Sequence, residues 1–496
     1  MAPYFMRNLI PKRTQRAQGR PLLTVLASLT WVQWAQFFSG WLCWTCDAID
    51  FFSVSLSVTH LEAQFSKPTS SITTAITLTL LFRSLGAVIF GILSDRFGRK
   101  WPLVGNMILV GCFSLGTSFV NTYSQFLAVR SLFGVAMGGV WGLAAATALE
   151  NLPVEVRGLA SGIVQQGYAV GYLIAAVVNL FLVPETSHGW RAMFWTSSGI
   201  IFFSAIVRAS LPESAYFIRA KEAEKLHGEH KSTGEKTRVF LRETKEMLKT
   251  HWLLCIYAVL LMSGFNFLSH GSQDLYPTYL QTSKNFSAHN ATVATIIGNL
   301  GAITGGAIAG FLSQYLGRRL TIVCFVLLIG AFIPLWILPS SFSALSAGAF
   351  CIQFGVQGAW GVIPIQLAEM SPPAFRATFP GVAYQLGNMV SAASAQIEAT
   401  GGNNLRTTII KNGVPTDVPD YATVQGIFIG VVAAFVIIIT IVGPENHGSH
   451  FEAHKTAFEE GAGHDEARAE GETGESVRSS RPDSLRVEEE KHDSAV

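Results

Sequence analysis

The sequence predicts an all-α polytopic membrane protein with twelve transmembrane helices in two pseudo-symmetric six-helix halves. Three observations predict this fold. The chain has 496 residues, of which 49% are hydrophobic and only 14% charged, whereas soluble proteins carry about 25% charged residues. Apolar segments of helical length recur between a few charged blocks, and one pattern repeats after 219 residues, since Gly310 aligns with Gly91. A cytosolic enzyme, a secreted domain and a porin-type barrel with period-two alternation are excluded.

The apolar segments define the spans, because about 20 apolar helical residues cross a hydrocarbon core of roughly 30 Å. Spans 1 to 12 are predicted near residues 30–58, 70–94, 101–120, 124–148, 158–183, 190–211, 252–280, 291–313, 320–339, 343–366, 377–398 and 422–443. The predicted domains are a basic N-terminal tail (1–29), a first six-helix bundle (30–211), a central loop (212–250), a second six-helix bundle (251–443) and a C-terminal tail (444–496). The C-terminal tail has the composition of a disordered segment.

The distribution of Lys and Arg predicts the orientation of the spans. Basic residues precede span 1, follow span 2 and fill the central loop, whereas the opposite loops hold few. By the positive-inside rule, both termini are cytoplasmic. Asn285 and Asn290 then begin glycosylation sequons in the external loop between spans 7 and 8.

The internal repeat predicts a duplicated six-helix unit. The segment 91–100 aligns with 310–319, and the same offset pairs Trp141 with Trp360, Glu150 with Glu369, Arg157 with Arg376, Gln166 with Gln385, and Asp47 with Asn266. Such duplication is typical of transporters whose halves rock about a central site.

Charged residues at the cytoplasmic helix ends are predicted to have a structural role. Asp95 is expected to cap the next helix or to pair with a basic residue, and Arg99 to anchor the turn at lipid headgroups. For the others we expect ion pairs between the halves that close a cytoplasmic gate. The predicted gate and structural residues are Asp95, Arg99, Glu150, Arg157, Glu369 and Arg376.

Span 7 carries a polar stripe. At 100° per residue, one helix face collects Asn266, Ser269, His270, Gln273, Asp274 and Thr278. Polar residues inside a membrane face a water-filled cavity or another polar helix. His270 and Asp274 are four residues apart and are able to share a proton; the alternative is a structural hydrogen-bond network between spans. Pro277 is expected to kink or break the outer end of this helix.

Other ionisable residues lie inside predicted spans and are therefore functional candidates. These are Asp47 and Asp50 in span 1, Arg83 in span 2, Arg130 in span 4 and Glu398 near the end of span 11. Arg83 has no acid within one helical turn, so it needs the substrate anion or an acid such as Asp47 or Asp50. Arg130 is expected to extend to the external interface.

Two of these patterns resemble known families. The segment 91–100 is similar to the loop between spans 2 and 3 of the major facilitator superfamily. The span 7 stripe, N-x-x-S-H-x-S-Q-D-x-x-x-T, resembles the signature of the Jen-type fungal carboxylate:proton symporters, the lactate and pyruvate permeases. The resemblance extends to the stretches Asp47 to Phe52, Phe82 to Ser84 and Gln385 to Asn388.

The resemblance implies a plasma-membrane symporter that imports short monocarboxylates such as lactate and pyruvate together with protons, by alternating access. The implied substrate-binding residues are Arg83, Asn266, His270, Gln273, Gln385 and Asn388. The proton-coupling candidates are His270 and Asp274 of the stripe, and Asp47 and Asp50 in span 1 are their rivals. The partners are a carboxylate anion, protons and the lipid bilayer, with cytoplasmic regulatory partners for the central loop and tail. No nucleic acid, cofactor, metal or catalytic residue is expected.

Two alternatives stay open at this stage. The same fold transports dicarboxylates such as succinate or malate, or sugar acids, and a non-transporting nutrient sensor is the candidate from another class. The C-terminal tail, residues 444–496, is too short for a signalling domain with its own core, which argues against a sensor. The sequence shows no nucleotide loop, metal cluster or Ser-His-Asp arrangement, so an enzyme is not expected.

Overall fold

A computed structural model of the chain describes residues 21–213, 217–218, 233–372, 375, 378–411 and 413–445. These residues fall into two compact units. The larger unit contains almost all of the twelve spans. The smaller unit combines described residues of 230–253 and 371–376, and within it the rings of Phe240 and Phe375 lie 6.4 Å apart.

The first half contains spans 1 to 6 as helices. Thr30 begins span 1 with a capping box, in which its hydroxyl accepts from the Gln33 N–H while the Gln33 side chain accepts from the Thr30 N–H. Span 1 extends beyond the predicted end near residue 58. Its bounds and those of the following spans are Trp31–Phe65, Thr69–Phe97, Lys100–Thr117, Tyr123–Met137 with Val140–Leu149, Arg157–Phe181 and Arg191–Ser210, and a short helix Leu22–Ser28 precedes them.

The second half contains spans 7 to 12. Their bounds are Trp252–Gln273 with Tyr276–Thr282, Ala288–Leu316, Arg318–Ile337, Phe342–Met370, Thr378–Ser391 with Ser394–Asn404, and Tyr421–Val442. The helix Thr233–Thr250 precedes span 7. An antiparallel hairpin that the sequence did not predict joins spans 11 and 12. Its strands are β1 (Arg406–Lys411) and β2 (Val414–Pro419), which are too short and too exposed to show the alternation of a half-buried strand.

Within the described residues, nine helices are long and apolar enough to cross a membrane. The other three spans are 1, 3 and 11. Span 1 carries Asp47 and Asp50 on buried positions, and span 11 is divided into two shorter helices. In spans 1 and 11 these features lower the local hydropathy or the length of unbroken helix, and both segments remain spans.

Span 4 is interrupted near its middle, and span 7 is interrupted in its outer part. Span 4 breaks at Gly138–Gly139, where a Cβ on Gly138 would lie 1.9 Å from the backbone oxygen of Arg83. Span 7 breaks between Gln273 and Tyr276, directly before Pro277, as the sequence predicted. Interrupted helices are the elements that line binding sites in many transporters.

The two halves contact each other along spans 5 and 8. A Cβ on Gly162 would lie 2.5 Å from the backbone oxygen of Gly306, so only small residues fit there. Toward the other end of the same helix pair, the Asn179 amide donates to Thr292 Oγ1 at 3.3 Å.

Spans 2 and 11 form the second contact between the halves. At one end, a Cβ on Gly91 would lie 4.0 Å from Thr378 Cγ2. At the other end, Thr73 Oγ1 donates to the Gln396 side-chain oxygen at 2.9 Å. Both helix pairs therefore touch near each end, and they enclose the centre of the molecule between them.

We call the end of the bundle that carries Arg99 and Arg318 the basic end. Arg99 forms an ion pair with Glu150 and Arg318 with Glu369, each with an N–O distance of 3.0 Å. Each of these two ion pairs lies within one half, whereas we expected ion pairs between the halves at this end. Gly98 and Gly317, with φ of 92° and 91°, turn each arginine back over its own half.

The other predicted gate residues are only partly described. The Arg157 Nε donates to the Leu152 carbonyl at 3.0 Å, within the first half. The side chain of Asp95 and the whole of Arg376 lie outside the described residues.

Arg130 does not extend to the interface as expected. It is 1% exposed, and its Nη1 donates to both carboxylate oxygens of Asp50 at 3.2 and 2.9 Å. Its guanidinium also lies 4.0 Å from the ring centroid of Phe133. Because Asp50 on span 1 pairs with the guanidinium inside the bundle, Arg130 does not need to extend to the aqueous interface.

Candidate substrate and proton site

A narrow cavity lies between the halves at the centre of the bundle. Its lining residues combine aromatic rings with amide, hydroxyl and imidazole groups. They are Trp44, Gln165 and Tyr168 of the first half and Asn266, Ser269, His270, Trp360 and Tyr384 of the second.

Four of the eight residues that line the cavity are tryptophan or tyrosine. Tyr384 lies next to two tryptophans that the sequence repeat relates to each other, with ring centroids 4.6 Å from Trp141 and 5.7 Å from Trp360. Trp44 stacks on Tyr168 at 5.2 Å. Sequence reasoning missed this wall, although the matched tryptophans were a signal for it. Apolar walls lower the local dielectric and strengthen the polar contacts inside.

His270 and Asp274 form a buried pair in span 7. The imidazole Nδ1 lies 3.1 Å from Asp274 Oδ2 and 3.2 Å from Oδ1. The two side chains are 2% and 0% exposed. The structure thus brings together the two groups that their helical spacing predicted to share a proton.

A chain of hydrogen bonds runs from His270 to the first half. His270 Nε2 lies 3.1 Å from Asn388 Oδ1, the Asn388 amide donates to Gln385 Oε1 at 2.9 Å, and the Gln385 amide donates to the Gly138 carbonyl at 3.2 Å. A carbonyl only accepts. The Gly138 oxygen therefore fixes the direction of every bond in the chain, and His270 Nε2 must carry a proton.

This direction limits the proton states of the His270–Asp274 pair. Because Nε2 is protonated, Nδ1 is either bare or carries the proton of an imidazolium. A bare Nδ1 accepts from a protonated Asp274, whereas an imidazolium donates to an ionised Asp274. In both states one proton lies between the two side chains.

Arg83 and Asp47 form a second buried pair with spare hydrogen-bonding capacity. Arg83 Nη2 donates to Asp47 Oδ2 at 3.3 Å. Within the described part of the chain, Arg83 Nε and Nη1 and Asp47 Oδ1 have no hydrogen-bond partner. The guanidinium lies 5.6 Å from the ring centroid of Tyr384, which lines the cavity. A guanidinium fork binds a carboxylate through two parallel hydrogen bonds.

Asn266 and Gln273, both predicted from the span 7 stripe, have different surroundings. Asn266 lines the cavity, and its amide donates to the Tyr384 carbonyl at 3.3 Å. The Gln273 amide donates to Gln353 Oε1 at 2.7 Å and its oxygen accepts from Ser269 at 3.0 Å. Gln273 therefore joins spans 7 and 10 rather than lining the cavity.

Comparisons with known proteins agree with this architecture. The chain is 36% identical over 429 residues to a carboxylic acid transporter protein homolog of Saccharomyces cerevisiae, covering 85% of this chain and 69% of that protein. It is 27% identical over 428 residues to a probable 4-methylmuconolactone transporter of Cupriavidus pinatubonensis, covering 83% and 91%. The xylose transporter XylE from E. coli, solved in a partially occluded inward open conformation, has the same fold, with a TM-score of 0.64, 17% identity and coverage of 85% and 100%.

The family model described as Major Facilitator Superfamily matches residues 36–395. This match covers more than half of the chain and reaches from span 1 into span 11. The chain therefore belongs to the Major Facilitator Superfamily and is a multi-pass membrane transporter rather than an enzyme.

Proposed function

We propose that this transporter is a proton-coupled symporter that imports short monocarboxylates such as lactate and pyruvate. The observation that carries the proposal is the chain of hydrogen bonds from Asp274 through His270, Asn388 and Gln385 to Gly138. This chain connects the His270–Asp274 pair, which holds one exchangeable proton, to a contact between the two halves. The relative named as a carboxylic acid transporter homolog supports the class of substrate.

Arg83 is the proposed anchor for the substrate carboxylate. Its Nε and Nη1 lack partners among the described residues, whereas Arg130 is held by both oxygens of Asp50. One free guanidinium fork beside the cavity suits one carboxylate, which favours a monocarboxylate over succinate or malate. Asn266, Gln385 and Asn388 are the proposed polar contacts for the rest of the substrate, and Gln273 supports them.

Proton coupling follows from the membrane potential. Moving one negative charge into a cell with a negative interior costs about 2.3 kcal/mol per 100 mV. One proton per monocarboxylate cancels that charge. When the halves rock apart, the bond from Gln385 to Gly138 breaks, the amide chain loses its fixed direction, and His270 loses its partner at Nε2. The proton of the His270–Asp274 pair is then free to leave with the substrate.

The orientation and location belong to the same proposal. We place both termini and the basic end in the cytoplasm and the β1–β2 hairpin outside the cell, with the protein in the plasma membrane. The domain boundaries predicted from the sequence then describe two bundles joined by a cytoplasmic loop, and the ion pairs of Arg99 and Arg318 brace each half at the cytoplasmic gate. A second narrow cavity between spans 2, 4 and 11, lined by Gly91, Gly142 and Gly381 among others, is the proposed release route.

The test is uptake of labelled lactate and labelled succinate by cells that lack their own carboxylate transporters, at external pH 5 and pH 7. We expect lactate to accumulate, faster at the lower pH, and succinate to compete weakly. Stronger accumulation of succinate would move the proposal to a dicarboxylate symporter. Equal uptake at both pH values would contradict proton coupling, and absence of uptake of either acid would contradict the carboxylate class.

A further inference from the structure

Glu398 is a buried acid that the proposed site does not use. It lies in the outer helix of span 11, ten residues beyond Asn388, and is 0% exposed. Its Oε2 accepts from the Gln425 amide at 2.8 Å. Its Oε1 has no hydrogen-bond partner among the described residues. Burying an ionised carboxylate without a partner is costly.

The surroundings of Glu398 hold it in place without neutralising it. Gln425 Oε1 accepts from the Trp336 indole N–H at 3.1 Å. The Gln425 oxygen is therefore occupied, and its NH₂ group must point at Glu398. In the described part of the chain, no Lys, Arg or His nitrogen forms an ion pair with Glu398.

The unpartnered oxygen faces span 7 at the level of the proton pair. A Cβ on Gly271 would lie 3.5 Å from Glu398 Oε1, so the glycine lets the acid approach the helix backbone beside His270. Asp274 lies three residues beyond Gly271, about one helical turn further along span 7. Two neighbouring carboxylates resist being ionised together.

Few other titratable groups face Glu398. Span 12 contributes Tyr421, which interacts electrostatically with it. The outer part of span 2 that packs against this helix, residues 69–82, contains no titratable side chain. Strand β2 contributes Asp417, which is paired with Arg406 at 2.8 Å on the exposed hairpin. Asp274 is thus the acid partner through which Glu398 is able to act on the transport site.

We propose that Glu398 is a proton-binding group of the transport cycle, which takes up a proton from the side of the β1–β2 hairpin and passes it to Asp274. This inference rests on the proposed proton-coupled function. In the transfer, the O–H bond of the Glu398 carboxyl breaks and leaves its electron pair on Glu398, while a new O–H bond forms on the Asp274 carboxylate. A purely structural protonated acid would give its O–H an acceptor, but Oε1 has none in this conformation within the described residues.

The first experiment uses Glu398→Gln, which keeps the shape of the protonated acid but cannot release a proton. We expect lactate accumulation driven by an imposed pH gradient to fall by about 100-fold, the lower range of what a positioned proton-transfer group contributes. Exchange of internal for external lactate at equal pH should stay measurable. Glu398→Gln with the accumulation and pH profile of the wild type would overturn the inference. A wild-type protein without any pH dependence would instead overturn the proposed function.

A second variant tests the role of Glu398 if Glu398→Gln does not reach the membrane. Gln425→Ala removes the donor that favours the ionised form of Glu398. We expect the midpoint of the pH dependence of uptake to move to higher pH, because the ionised form of Glu398 then loses a hydrogen bond. Tyr421→Phe is the matched control, since it removes the other titratable group that faces Glu398, and its pH profile should match the wild type. An unshifted midpoint in Gln425→Ala would overturn the inference.

Discussion

Arg83 and Asp47 are joined by a single hydrogen bond of 3.3 Å inside the bundle, although both side chains are fully buried. Two guanidinium nitrogens and one carboxylate oxygen of this pair have no partner among the described residues. Buried ion pairs are normally satisfied by further hydrogen bonds, because desolvating the charges is costly. The free atoms therefore point to a ligand that completes the pair, and the first prediction tests this.

Arg83→Lys should abolish or severely weaken transport despite keeping the positive charge. A lysine offers a point charge and cannot bind Asp47 and a substrate carboxylate with the same geometry. Losing a charged hydrogen bond to a desolvated anion costs about 2–5 kcal/mol. The measurement is the apparent affinity for lactate in a variant shown to reach the membrane, with Arg406→Lys on the exposed hairpin as control. An unchanged affinity would remove Arg83 from the carboxylate site.

Asp274→Asn should remove lactate uptake driven by a pH gradient while exchange of lactate across the membrane continues at a measurable rate. The amide cannot take the proton that lies between Asp274 and His270. His270→Ala should shift the pH optimum or abolish uptake. Both are measured as initial rates over a range of external pH, with Asp417→Asn as the matched control. If both variants accumulate lactate with wild-type pH dependence, Asp47 and Asp50 become the first alternatives.

Gln385 and Asn388 should influence substrate choice, because they connect the cavity to the first half. Replacing either with Ala should change the ranking of mono- and dicarboxylates in competition assays. Asn388→Ala should also shift the pH optimum, since His270 Nε2 loses its acceptor. Gln396→Ala, on the same span but bonded to Thr73, is the control. An unchanged ranking with only lower expression would support a packing role instead.

Asp50→Asn should destabilise the protein rather than change its pH dependence. It leaves Arg130 buried without a charged partner, and breaking a buried ion pair in this way costs about 3–5 kcal/mol. The double variant Asp50→Asn with Arg130→Gln should recover much of the lost stability. The check is the thermal unfolding midpoint in detergent. A wild-type midpoint together with an altered pH profile would instead return Asp50 to the proton-coupling candidates.

The sequence alone determined the spans, the duplicated halves and the polar face of span 7. These features are local in the sequence or repeat at a constant offset. A helix in a membrane must form its backbone hydrogen bonds within itself. In any helix, a spacing of four residues places His270 next to Asp274. Pro277 likewise marked the break in span 7, because proline removes a backbone donor wherever it stands.

Only the tertiary structure decided which acid meets which arginine. The sequence allowed Arg83 to pair with Asp47, Asp50 or a substrate, and it placed Arg130 at the interface. The packing of spans 1, 2 and 4 assigned Asp47 to Arg83 and Asp50 to Arg130, over separations of 36 and 80 residues. The partner of a long side chain depends on how helices are rotated and stacked against each other, and a single span carries no information about that rotation.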